Sequence, residues 1–86
     1  MNKNLSTAQL AFDLALADGL IVSVKVWDCK KRKFRYDEQF SDALDIVNLP
    51  TICQLFNADV WEISYSEHEC EITLIADGLA MAHHVS

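Results

Sequence analysis

The chain has little of what punctuates or staples a fold: two Gly, one Pro and three Cys in 86 residues. With 51% apolar residues, that shortage excludes the disordered and low-complexity classes. Gly19 and Gly78 cannot build a Gly-rich phosphate loop, and no Walker, nucleophile-elbow or zincin pattern occurs. Three cysteines cannot all pair within one chain, so a reducing compartment is expected. Long apolar runs are missing too. Ala8 to Val26 is broken by Asp13, Asp18 and Ser23, which suits neither a signal-peptide core nor a membrane span. The expected location is cytoplasmic. Basic residues are scarce, seven against thirteen acidic, for a net charge of −6 that opposes general coating of nucleic acid.

What is present is enough apolar material for one core, expected as a single domain over residues 1–86. Ser6 and Gln9 read as a capping box, with Leu5 and Leu10 as a hydrophobic staple. They predict a helix from Thr7 to Asp18, ended by Gly19. Leu10, Leu14 and Ala17 fall on one side of it, with Phe12 and Leu16 nearly opposite. A helix apolar almost all round is central to a fold or covered by another molecule. Strand alternation follows at Leu20–Trp27, and again at Phe34 and Tyr36 after a polar connection. Asp37 can cap a second helix carrying Phe40, Ala43, Leu44 and Val47, and Pro50 opens a third that runs to Phe56. Trp61–Tyr65 and Cys70–Leu74 alternate as strands, and Asp77-Gly78 marks a hairpin into a last strand. The fold class is therefore α+β, in the order α-β-β-α-α-β-β-β, with helices packed on one face of an antiparallel sheet.

Candidate chemistry is thin. On this parity His68, Cys70 and His83 share a side of the sheet, but no spacing supplies a fourth zinc ligand, so no metal or cofactor is expected. Cys29 beside Lys30, Lys31, Arg32 and Lys33 has the setting of a stabilised thiolate but no base near in sequence. Glu62, Glu67, Glu69 and Glu71 read as a solvated face rather than a tuned acid–base pair. No catalytic residue and no enzyme activity are expected.

Charge is distributed more informatively than its total implies. Lys25, Lys30, Lys31, Arg32, Lys33 and Arg35, less Asp28, give residues 25–35 a charge of +5. Lys3 against the other twelve carboxylates leaves −11 for the rest. Cross-sheet pairing of Lys25 and Arg35 with Glu62 and Glu71 would leave a solvated basic tip.

The expected function is that of a small acidic interaction protein that binds and modulates, by inhibition, a larger protein or nucleoprotein partner. Its contact residues would be Trp27, Lys30, Lys31, Arg32 and Lys33, the four glutamates Glu62, Glu67, Glu69 and Glu71, and the apolar Leu10 and Phe12. In size and acidity alone the chain is similar to small inhibitors carried by phages and mobile elements, anti-CRISPR proteins among them. Homodimerisation through the first helix fits the same apolar surface. A nucleic-acid-binding module using the 25–35 hairpin ranks second, since a −6 body repels the polyanion, and a metal- or thiol-dependent protein ranks third.

Overall fold

A computed structural model describes residues 3–76, with side chains described from Leu5. Helix α1 (Lys3–Ala17) leads into β1 (Ile21–Asp28) and β2 (Lys33–Phe40); α2 (Leu49–Phe56), β3 (Ala58–Tyr65) and β4 (Glu69–Ala76) follow. The expected hairpin at Asp77-Gly78, its strand, and His83 and His84 lie outside the described residues.

The first helix is amphipathic once its buried side is known. Ala8, Ala11, Phe12, Ala15 and Leu16 recur at helical spacing and are all buried. Leu10 and Leu14, one turn apart, are 58% and 56% exposed. The expected capping box is not formed, because the helix begins a turn earlier, at Lys3. Gln9 instead reaches across the fold. Its amide donates to the Val47 carbonyl at 2.9 Å and accepts from the Leu49 N–H at 2.8 Å, tying α1 to the start of α2.

The C-terminus of α1 closes as the sequence predicts. Gly19 is left-handed at φ +83°, with Leu20 N–H bonded to Ala15 O and Gly19 N–H to Leu16 O. This is the paired 6→1 and 5→2 arrangement of a Schellman cap. In α2, Asn48 caps the N-terminus through Thr51 N–H, Pro50 sits in the first turn, and left-handed Asn57 ends the helix.

No helix forms over residues 37–47. Asp37 to Phe40 extend β2, pairing with Val22 to Lys25, and the chain then turns at Asp42 to Asp45. Sheet pairing outweighs the helical spacing, since Phe40 packs edge-on against Phe12 with ring centroids 5.4 Å apart. The Asp42 side chain accepts Leu44 N–H and so holds the turn instead of capping a helix.

The sheet order is β2-β1-β4-β3. Both hairpins are antiparallel, but β1 and β4 run parallel, so the sheet is mixed rather than purely antiparallel. In that central pair Val22, Val24 and Val26 stand beside Cys70, Ile72 and Leu74, all fully buried under the two helices. The opposite face carries Ser23, Lys25 and Trp27 beside Glu71, Thr73 and Ile75.

The helix orientation is directly testable. Phe12→Ala should cost about 3–5 kcal/mol, enough to unfold much of so small a domain, whereas Leu10→Ala should change stability by about 0.5 kcal/mol or less. Urea titrations of the two variants check this, and equal losses would contradict the buried face. Gly19→Ala should cost about 1 kcal/mol by the same measurement, from backbone strain alone, because an added Cβ meets nothing within 4 Å.

Candidate interaction site

The β1–β2 connection is short, and one buried carboxylate organises it. Asp28 Oδ1 accepts the backbone N–H groups of Lys30 and Lys31, both at 2.9 Å. Its Oδ2 lies 3.3 Å from Arg35 Nη1, and the Asp28 side chain is only 3% exposed. The Asp28 carbonyl also accepts Arg32 N–H at 2.8 Å. The Lys31 N–H does most to hold the Asp28 carboxyl below the usual aspartate range; burial opposes this, and Lys30 and Arg35 assist. Asp at the start of a turn, ahead of two free N–H groups, is the sequence signal for this role. Counted only as a charge, it goes unnoticed.

Arg32 completes the turn at φ +54°, a left-handed conformation that costs a non-glycine residue about 1 kcal/mol. The result is a fixed turn with four cations outside it. Lys30, Lys31, Arg32 and Lys33 are all exposed, and among the described residues the ion pairs involve only Lys25 and Arg35. Lys25 meets Glu71 at 3.0 Å, as the cross-sheet expectation has it. Arg35 does not meet Glu62. A register shift opposite Val26 and Trp27 turns it toward Asp28 and the Phe56 ring, whose centroid is 5.6 Å away.

The aromatic residues of the hairpin divide between the two faces. Trp27 is half-buried on the face away from the helices, edge-to-face with Phe34 at 5.0 Å. Lys25 Nζ lies 5.7 Å from the centre of the same Phe34 ring, which leaves Phe34 49% exposed. Tyr36 packs on the helix side, against Phe56.

The glutamates lie elsewhere. Glu67 is in the β3–β4 turn and Glu69 opens β4 opposite Ile21; both are exposed, at the end of the sheet remote from Asp28. Asp18, Asp42 and Asp45 reach the same end, because α1 and β2 finish there. Glu71 and Glu62 sit midway along the sheet, opposite Ser23 and Thr73.

Of the two apolar candidates only Leu10 is on the surface. Phe12, expected to face a partner, is fully buried because its side of α1 is the one laid on the sheet. Leu10 borders a groove of about 480 Å³ with Leu5, Ser6, Gln9, Asp13 and Pro50. Leu14, Leu44, Ile46 and Leu55 are also exposed, Ile46 at 96%. Leu44 and Ile46 lie in the stretch that forms no helix, and Leu55 stays outside because α2 buries Leu49, Ile52 and Cys53 instead.

Burial pushes the Cys53 and Cys70 thiols up, which keeps both protonated. His68 is exposed in a turn while Cys70 is fully buried, so these two do not converge. No group of three His, Cys, Asp or Glu among the described residues is placed to hold a metal ion. Among the same residues, no helix is long and apolar enough to cross a membrane. The chain matches no protein-family model, and neither a curated protein nor a solved structure is significantly similar to it.

The Asp28 bonds carry a pH signature. A carboxyl with a depressed folded-state pKa adds stability above its unfolded pKa and loses it as pH falls through the folded value. The Lys30 and Lys31 amide resonances should therefore titrate with a midpoint below that of an exposed aspartate, and Asp28→Asn should abolish the transition. A midpoint at or above the ordinary aspartate value would contradict the assignment.

Proposed function

We infer that the protein acts by binding rather than by catalysis, as an interaction module that engages and inhibits a larger protein or nucleoprotein partner. The observation carrying this reading is the outer side of α1. Leu10 and Leu14 stand one helical turn apart, and Leu10 forms an apolar rim with Leu5 and Pro50 around the groove. A chain of this size leaves such side chains uncovered at a cost in solubility, and a docking partner would bury them. Chemical considerations agree: the buried thiols are held protonated, Glu62, Glu67 and Glu69 are exposed, and Glu71 is paired with Lys25. A cytoplasmic, reducing location suits three cysteines of which none forms a disulfide.

In this reading α1 supplies affinity, and the separated charges orient the approach. A second copy of the chain is the simplest occupant to test. Leu10→Ser with Leu14→Ser should leave the thermal midpoint within a few degrees of the wild type and remove the partner from affinity capture in the native host, at low and high salt alike. Sedimentation equilibrium of the wild type separates homodimerisation, which doubles the 9.7 kDa mass, from a foreign partner. Retention of both partner and oligomeric state by the double variant would overturn the role of α1.

A further inference from the structure

We propose that the β1–β2 tip is a second, separate binding site, which takes the phosphate backbone of a nucleic acid in a local, sequence-independent contact. The net charge of −6 argues against this only if the acidic residues stand near the tip. Among the described residues the glutamate-rich turn does not. Glu69 and Ala76, seven residues apart on β4, mark the two ends of the sheet, so the Glu67–Glu69 end lies roughly 23 Å from the tip. Charges that far apart are screened from one another at physiological salt, where the Debye length is about 8 Å.

Among the described residues, no ion pair compensates Lys30, Lys31, Arg32 or Lys33. Asp28 is occupied by Arg35 and by two backbone N–H groups. The nearest other described carboxylates are Asp37, four residues along β2 from Lys33, and Asp59, three strands across from Phe34. Both are roughly 13–14 Å away by strand geometry. Counted over the described residues, a polyanion meeting Lys30, Lys31, Arg32 and Lys33 therefore encounters a charge near +4.

Residue type favours phosphates over an acidic protein surface. Three of the four cations are lysines, which are depleted from protein–protein interfaces but act as point-charge phosphate contacts. They occupy successive positions on a turn held by four hydrogen bonds or ion pairs from Asp28, so presenting them together costs little further ordering. Arg32 keeps a cation where glycine would relieve backbone strain. Lys25 and Arg35 are paired with Glu71 and Asp28, so the contact is confined to residues 30–33 rather than spread over the whole hairpin.

Fluorescence anisotropy of the full chain tests this with three probes: a single-stranded oligonucleotide, its duplex, and a poly-glutamate peptide of equal charge. Both oligonucleotides should bind at low salt. With four neutralised phosphates, affinity should fall roughly 50-fold for the single strand and roughly 150-fold for the duplex between 50 and 200 mM salt. Replacing Lys30, Lys31, Arg32 and Lys33 by Ala should abolish binding with the thermal midpoint unchanged, and Lys30→Gln with Lys31→Gln should halve the logarithmic salt slope. Leu10→Ser with Leu14→Ser should bind oligonucleotide like the wild type, so failure at the tip is distinguishable from failure of the α1 reading. Poly-glutamate binding as tightly as the oligonucleotides would overturn the proposal in favour of an acidic protein partner. A salt slope unchanged in the tip variants, or no oligonucleotide binding at all, would also overturn it.

Discussion

The parallel pairing of β1 with β4 is the constraint on which the rest of the molecule depends. It places Val22, Val24 and Val26 beside Cys70, Ile72 and Leu74, a continuous apolar wall that neither hairpin could present alone. Both helices settle on that wall, and α1 contributes Ala8, Ala11, Phe12, Ala15 and Leu16. Parallel strands cannot be joined by a tight turn, so everything between β1 and β4 serves as their connection. That connection includes a second strand, a helix and a third strand, and its length lets the chain cover one face of its own sheet.

The same pairing distributes the charge. The basic turn follows the end of β1, while the acidic turn precedes the start of β4. In a parallel pair, the end of one strand and the start of the other lie at opposite ends of the sheet. An antiparallel pair would have set Lys30–Lys33 against Glu67 and Glu69, and the two clusters would have neutralised one another. Charge segregation in this protein is thus a consequence of strand direction, expressed through the register Ile21 with Glu69 and Asp28 with Ala76. Asp28 links the two levels. Its side chain projects from the buried face of β1 and shapes the basic turn beyond it.

Local signals were legible wherever a short-range reason was decisive. Gly19 had to end α1 because the cap requires a left-handed residue, and Pro50 opened α2 because its fixed φ suits a first turn. Alternation along β1 and β4 reported the buried face correctly. Helical spacing at Phe40, Ala43, Leu44 and Val47 misled, because Phe40 meets Phe12 through strand pairing and Leu44 meets solvent. Ser6 and Gln9 had the residue types of a capping box, yet Gln9 serves a partner 40 positions away. Nothing in its neighbourhood could disclose that.

The candidate surface divides along the same line. Residue type and order alone determined that Lys30, Lys31 and Arg32 lie in a polar connection between two strands, and that α1 carries more apolar residues than one face can use. Only the tertiary structure decided which apolar residues remain outside, since Phe12 and Leu10 are equally apolar and differ in which side of α1 meets the sheet. It also decided that Arg35 answers Asp28 rather than Glu62, and that the acidic and basic turns stand apart. The physical reason is the range of the interactions. Caps, turns and alternation act within a few residues, whereas strand direction and the orientation of a helix are set by contacts between segments far apart in the chain.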